Sequence, residues 1–260
     1  MKKLDKEILA LVEKYGNSTR QALKENKKLP YLYALAKLRE NVLEWYDFRK
    51  EGNLLQIGAD YGALTGLFLK RVSEVTVLDD SEDSLEIVKR RYQAVPGADK
   101  LICLCGTASE LTDGEKEKKL YDYIACIGTL RTGETVESQL EAAKALLAPG
   151  GVLLLAVGNR FGLKYFAGAE REGVSMTRRE LEALLPGGRF YYPVPDYRIA
   201  TEIYSDDYLP KKGDLTGILP VYDFPRYTSM EMGSAYDAVC EDGQFQQFSN
   251  SFLVIWKKGE

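Results

Sequence analysis

The sequence predicts an α/β protein with a Rossmann-like, doubly wound sheet of seven mostly parallel strands. Short apolar runs alternate five times with segments whose apolar residues recur at helical spacing, a pattern typical of a parallel sheet covered by helices. The first strand, at residues 53–57, leads into a turn with Gly58 and Gly62 and then into an amphipathic helix that ends near Val72. Such a turn brings free backbone N–H groups close to a ligand. We therefore expect the ligand site at the carboxyl ends of the strands.

The residues before this strand are predicted to be helical. Leu4, Ile8 and Val12 fall on one face of a first helix, and residues 30–48 have a helical period that is rich in aromatic side chains. We expect an N-terminal helical extension over residues 1–50 and one α/β domain over residues 51–260.

An acidic residue ends the second predicted strand. Asp79 closes the run Val-Thr-Val-Leu-Asp and lies about twenty residues beyond Gly58. In nucleoside-binding folds an acid at this spacing accepts hydrogen bonds from the ribose hydroxyls. The next strands are predicted at residues 101–104, 121–127 and 152–157.

The last third of the chain has a different pattern. Residues 190–194 and 251–256 are predicted to be the sixth and seventh strands. The residues between them, 196–246, are rich in tyrosine, acids and proline, and a connection of this length is typical of a functional lid or insertion. We therefore expect an insertion over the ligand site.

Composition excludes several classes of function. The chain has no histidine, so histidine bases and histidine metal ligands are ruled out, and its four cysteines lack metal-type spacing. The formal charge of −4 argues against a general nucleic-acid electrostatic role. The longest apolar run is far shorter than the ~20 residues that span a bilayer. We expect a cytoplasmic protein without a metal site, a membrane span or a nucleic-acid partner.

The glycine turn, the acid that ends strand two and the Leu-Ala-Pro-Gly-Gly segment at 147–151 resemble the class I S-adenosylmethionine-dependent methyltransferases. Residues 39–48, 159–169, 190–197, 202–210 and 248–254 are similar to a bacterial group encoded with, or fused to, surface-polysaccharide glycosyltransferases. The resemblance implies S-adenosyl-L-methionine as cofactor and O-methylation of a sugar, glycan or other small polar acceptor, within polysaccharide biosynthesis.

The resemblance also implies roles for individual residues. The cofactor contacts would come from Gly58, Asp60, Gly62, Asp79, Asp80, Thr107, Ala108 and Ile127. It also suggests that Arg39 and Asn41 approach the site, without a firm role. An alcohol acceptor benefits from a base, which without histidine must be a carboxylate, a tyrosine or a lysine. Asp196 and Tyr197 are the preferred catalytic pair.

Three positions depart from the pattern of the family that the chain resembles. Gln56 stands where an acid is usual, Asp60 where a glycine is usual, and Thr107 where Asp or Asn is usual. Asp60 either takes over a contact to the cofactor's ammonium group or marks a site that has lost cofactor binding. The sequence leaves both readings open.

Two other functions stay open at this point. One is a non-catalytic methyltransferase-like module that supports a glycosyltransferase partner. The other is a nicotinamide-dependent oxidoreductase, which is disfavoured because Asp60 replaces the second glycine of the GxGxxG motif. The oligomeric state is not determined by the sequence, and an oligomer is compatible with it.

Overall fold

The computed structural model describes residues 1–16, 18–113, 118–171, 173–217 and 229–259. Within these ranges one sheet contains nine strands. They are β1 Asn53–Ile57, β2 Glu74–Asp79, β3 Leu101–Cys105, β4 Tyr121–Ile127, β5 Leu147–Asn159, β6 Ser175–Met176, β7 Arg189–Val194, β8 Glu202–Ser205 and β9 Ser251–Lys257.

The first five strands form the parallel part of the sheet. The order across the sheet is β3-β2-β1-β4-β5-β9-β7-β8, and β6 pairs with β5. Neighbours among β1 to β5 are parallel, whereas β9 is antiparallel to both β5 and β7. The predicted fold class is confirmed, and each of the seven predicted strands is present. β6 and β8 were not predicted; they are two and four residues long, too short to show a period.

Helices cover both faces of this sheet. They are α1 Lys3–Tyr15, α2 Thr19–Glu25, α3 Leu29–Leu35, α4 Asn41–Glu44, α5 Thr65–Arg71, α6 Glu82–Tyr92, α7 Ala108–Asp113, α8 Val136–Ala145, α9 Leu163–Phe166, α10 Arg178–Leu184, α11 Met232–Glu241 and α12 Phe245–Phe248. Short 3-10 helices span Lys37–Glu40, Asp60–Gly62 and Ala98–Lys100.

The prediction of one continuous helix over residues 30–48 was wrong. That segment forms α3, a 3-10 helix and α4, because Ala36 adopts an extended conformation with ψ 131° and interrupts the helical hydrogen bonds. The break turns the 3-10 helix toward the carboxyl edge of the sheet, where Arg39 reaches Asp60.

The N-terminal helices pack against α6 and the glycine turn. Ile8 and Val12 of α1 share a buried cluster with Leu35 and with Ile87 of α6. The Tyr61 hydroxyl donates a hydrogen bond to Asp5 Oδ1 over 2.9 Å, which ties α1 to the turn. α1 and α3 therefore lie beside the carboxyl ends of the strands. The division of the chain at residue 50 stays a prediction.

The predicted insertion, residues 196–246, contains β8 and α11, while its residues 218–228 lie outside the described ranges. Among the helices that the structure describes, none is long and apolar enough to cross a membrane. The described residues also contain no cluster of three or more cysteine or acidic side chains arranged to hold a metal ion.

Candidate functional site

A hollow of about 530 Å³ opens at the carboxyl ends of β1, β2 and β4. Gly58 follows β1, Asp79 ends β2 and Ile127 ends β4, and all three line the hollow. Its volume lies within the range of about 300–1,000 Å³ that small-molecule sites occupy. Because β1 pairs with β2 and with β4, the sheet itself brings these residues together.

Gly58 is a glycine for a packing reason as well as for its backbone conformation. Its φ is +87°, and a Cβ built at this position would lie 2.4 Å from Thr129 Cγ2. The Gly58 N–H donates to the carbonyl of Leu78 over 2.7 Å, which fastens the turn to β2. A larger side chain here would push apart β1 and the loop that follows β4.

Gln56 holds the turn from below. Its Nε2 donates to the carbonyls of Gly58 (2.9 Å) and Ala59 (3.2 Å), and its Oε1 accepts from the Thr65 hydroxyl over 2.8 Å. The side chain is buried and does not line the hollow. Gln56 therefore stabilises the backbone of the turn by hydrogen bonds and does not face the space where a ligand would bind.

Asp79 connects the glycine turn to the end of β2. Its Oδ2 accepts from the Ala59 N–H over 2.7 Å, and its Oδ1 accepts from the Ser81 N–H over 2.8 Å. A carboxylate has about four lone-pair positions, so both oxygens retain capacity for a further donor. The two backbone contacts fix the carboxylate in orientation at the wall of the hollow.

Asp60 forms an ion pair with Arg39. The backbone of Asp60 is in the left-handed region, with φ +42°, a conformation that Asp tolerates better than most residues. The Arg39 side chain is only 4% exposed, and it also donates to the carbonyl of Arg198 over 3.3 Å. Arg39 Nε is buried and has no hydrogen-bond partner among the described residues. This part of the hollow therefore presents a carboxylate and a guanidinium side by side.

Asp80 pairs with an arginine that the sequence did not suggest. Arg131, in the loop after β4, places Nη2 2.5 Å from Asp80 Oδ2. Gln139 of α8 fixes that loop by accepting from the Arg131 N–H over 2.8 Å. Thr107 and Ala108, which follow β3, line the same side of the hollow. A pairing between residues fifty-one positions apart leaves no signal in local sequence.

Gly62 does not line the hollow, unlike the other seven residues predicted to contact a cofactor. A Cβ at Gly62 would lie 2.7 Å from Tyr92 Cε2, and the Tyr92 hydroxyl donates to the Gly62 carbonyl over 2.6 Å. Gly62 is thus required where α6 packs on the back of the turn. Asn41 also lies elsewhere, and its amide donates to the carbonyl of Ala200 over 2.8 Å.

The structure separates the predicted catalytic pair. Tyr197 lines the hollow, and its ring lies so close to Gly128 that a Cβ there would be 2.5 Å from Tyr197 Cε2. Asp196 is buried outside the hollow, where it forms an ion pair with Lys164 over 3.0 Å. It also accepts from the Arg198 N–H over 2.8 Å. The geometry therefore gives Asp196 no contact with a ligand in the hollow.

The N-terminal segment supplies the wall opposite β2. Leu4, Pro30 and Tyr33 line the hollow together with Arg39. Among the aromatic residues of the segment 30–48, Tyr31 is buried, whereas Trp45 is 45% exposed and packs on Tyr191. Aromatic density alone did not distinguish a core cluster from residues at a ligand site.

Comparisons with known proteins identify a family model that matches part of the chain and solved structures with a similar fold. Residues 55–153 match the family model of a methyltransferase domain. A search of curated proteins gave no match. The fold is similar to that of the YcgJ protein of Bacillus subtilis, with 16% identity, 86% of this chain and 98% of that chain covered, and a TM-score of 0.53.

A SAM-dependent methyltransferase from Archaeoglobus fulgidus has 13% identity, a TM-score of 0.52 and coverage of 87% of this chain and 94% of that chain. The chain spans about half, 53%, of a SAM-dependent methyltransferase from Thiobacillus denitrificans that was crystallised with S-adenosyl-L-homocysteine. That alignment covers 50% of this chain, with 21% identity and a TM-score of 0.39. At these identities, the two likenesses with TM-scores of 0.53 and 0.52 establish the fold alone.

Proposed function

We propose that this chain is an S-adenosylmethionine-dependent methyltransferase that acts on an oxygen of a sugar or of another small polar acceptor. One observation carries the proposal. The segment that matches a methyltransferase domain surrounds an open hollow, and an oriented carboxylate, Asp79, lies beside the glycine turn at its wall. No side chain among the described residues fills this space.

The residues at one end of the hollow fit a nucleoside. Asp79 offers free lone pairs to two ribose hydroxyls, as an acid at the end of the second strand does in related folds. Thr107 and Ala108 would border the adenine ring, and the backbone of Ile127 would lie under the sulfonium. Arg131, paired with Asp80, adds a guanidinium at the same end.

The residues at the other end fit a zwitterion. The methionine part of the cofactor carries a carboxylate and an ammonium group, and the Arg39–Asp60 pair offers the complementary charges. Arg39, whose buried Nε has no hydrogen-bond partner among the described residues, supplies the positive charge for the carboxylate. This arrangement supports the reading in which Asp60 contacts the ammonium group, because Arg39 offsets the repulsion that Asp60 would otherwise exert.

The chain's main contribution to the reaction is to hold donor and acceptor in line. The cofactor supplies a methyl group on a positively charged sulfur. Tyr197, beside Gly128, is the catalytic candidate that contacts the hollow, and its hydroxyl oxygen orients the acceptor hydroxyl by accepting a hydrogen bond from it. The Arg198 guanidinium lies 5.9 Å from the centre of the Tyr197 ring. Burial lowers the pKa of Arg198, but Tyr197 and Asp196 raise it overall, so this group stays cationic beside Tyr197.

Calorimetric titration with S-adenosyl-L-homocysteine tests cofactor binding. We expect the wild type to bind and Asp79→Ala to bind at least about tenfold more weakly, since hydrogen bonds to a charged group contribute about 1.5–3 kcal/mol. Asp99→Ala, at an exposed acid outside the hollow, is the matched control and should bind like the wild type. Circular dichroism checks that Asp79→Ala is folded. A folded wild type that gives no heat refutes the proposal.

The two other functions differ in measurable outcomes. A non-catalytic module would form a stable complex with a glycosyltransferase and would show no methyl transfer to a sugar acceptor. An oxidoreductase would bind reduced nicotinamide cofactor, which fluorescence titration detects. Transfer of a labelled methyl group to a glycan acceptor, lost in Tyr197→Phe, is the result that the proposed function requires.

A further inference from the structure

A second cavity, of about 360 Å³, lies behind the glycine turn. It is enclosed by the N-terminal segment and by the ends of α5 and α6, and it shares no lining residue with the hollow. Leu35, Leu69 and Val95 give it an apolar wall. We call it the Arg91 cavity, after the charged residue at its base.

Arg91 is a buried cation that pairs with no carboxylate in the described part of the chain. Its exposed fraction is 7%, and Nη1 donates to the carbonyls of Ala34 (2.8 Å) and Tyr61 (2.9 Å). No Asp or Glu among the described residues forms an ion pair with it. Arginine is rarely buried without a counter-charge, because desolvation of the guanidinium is costly. The cavity beside it is a place where an external anion could supply that charge.

The other charged groups of the cavity leave it cationic. Lys37 and Lys70 line it together with Glu40, and Lys70 Nζ lies 3.8 Å from Glu40 Oε2. Both lysines are exposed, so their ammonium groups can move toward a ligand, whereas the Glu40 side chain is 10% exposed. Three cations thus face a single carboxylate around one apolar space.

We propose that the Arg91 cavity binds a small organic anion, a carboxylate or phosphate carried on a short apolar body. The planar guanidinium matches the geometry of both anions, and charge-assisted hydrogen bonds of this type are among the stronger ones in proteins. The apolar wall takes up the body of the ligand. A site of this volume is at the lower end of the range for small molecules, which limits the ligand to a small one.

Titration by NMR, with the full chain and no cofactor, tests this site. The probes are hexanoate and hexyl phosphate, and hexylammonium is the control of opposite charge. We expect both anions to shift amide signals of α6 and of the 3-10 helix Lys37–Glu40, and hexylammonium to leave them unchanged. The ratio of the affinities for hexanoate and hexyl phosphate distinguishes a carboxylate site from a phosphate site.

Three variants connect the binding to the cavity. Arg91→Gln should weaken the binding of the anion at least about tenfold, which corresponds to the loss of one charge-assisted hydrogen bond. Because Arg91 also holds two carbonyls, Val95→Trp provides a variant that fills the cavity and keeps every charge, and it should abolish binding. Lys89→Gln, an exposed residue of α6 outside the cavity, should bind like the wild type. The proposal is overturned if neither anion binds the wild type, if hexylammonium binds equally well, or if folded Val95→Trp keeps its affinity.

Discussion

Replacing Arg39 with glutamine tests whether the Arg39–Asp60 pair makes the hollow acceptable to an anionic group. The Arg39 side chain is 4% exposed, and that of Asp60 is 31% exposed. The substitution removes the guanidinium but leaves the carboxylate of Asp60 at the wall of the hollow. A ligand carboxylate bound beside it would then meet an uncompensated like charge.

The expected loss of affinity follows from Coulomb's law. Two like charges about 4 Å apart repel by about 1 kcal/mol in bulk water and by about 4 kcal/mol at an effective dielectric constant of about 20. Asp60 is partly exposed, so the repulsion lies between these limits. Since about 1.4 kcal/mol corresponds to a factor of ten, binding should weaken between about fivefold and about a thousandfold.

Calorimetry on four proteins measures this effect: the wild type, Arg39→Gln, Asp60→Gly and the double variant. The double variant should recover much of the affinity for S-adenosyl-L-homocysteine, because glycine removes the charge and suits the left-handed backbone at residue 60. Methylthioadenosine, which lacks the carboxylate, is the matched ligand and should be affected much less by Arg39→Gln. The reasoning is refuted if the double variant binds no better than Arg39→Gln, or if both ligands lose affinity equally.

Three further predictions concern the stability of the fold, which urea or thermal unfolding measures. Lys164→Met should destabilise the fold by about 3–5 kcal/mol, because it removes the cation from a buried ion pair with Asp196, and Lys164→Met combined with Asp196→Leu should cost less. Gln56→Glu places a carboxylate against two backbone carbonyls, which raises the pKa of the new acid in the folded state. Its stability should therefore be near wild type below about pH 4 and fall as the pH rises. For Asp206, burial raises the pKa but hydrogen bonds from Arg178 and Tyr192 lower it overall. Its stabilisation should be present above about pH 4 and disappear as the pH falls, so Asp206→Asn should melt below the wild type at pH 7 and together with it near pH 2.

The order of elements could be predicted because it rests on local patterns. Buried strands such as β4 and β5 appear as apolar runs, and the sequence Thr-Arg-Arg-Glu at 177–180 forms a capping box at the start of α10. The break at Ala36 could not be predicted, because neither glycine nor proline occurs there and alanine favours helix. β8 is an edge strand of four residues that depends on pairing with β7, and so short a segment shows no pattern that predicts this pairing.

The candidate site could be predicted only where position along a strand determines it. The carboxyl ends of parallel neighbours meet, so the spacing of Gly58 and Asp79 was sufficient to place both at the hollow. The spacing of residues in the sequence does not predict the direction in which a side chain points once a strand has ended. Asp196 and Tyr197 are adjacent in sequence, yet one is buried against Lys164 and the other faces the hollow. The place of Arg131 in the site depends on its ion pair with Asp80, fifty-one residues away in sequence, and no local sequence pattern predicts this pair.

The departures at residues 56 and 60 can be understood together. In the methyltransferases that the sequence resembles, an acid at position 56 and a glycine at position 60 leave one carboxylate at this turn. Here Gln56 uses N–H donors to hold two carbonyls of the turn, which an ionised acid cannot do. The carboxylate is instead at Asp60, where Arg39 compensates its charge at the hollow wall. The turn thus keeps one negative charge at the wall of the hollow. The arginine that balances this charge, Arg39, lies in the 3-10 helix Lys37–Glu40, which follows the break at Ala36. The N-terminal segment is therefore part of the site, and we expect its removal to abolish cofactor binding even if the sheet still folds.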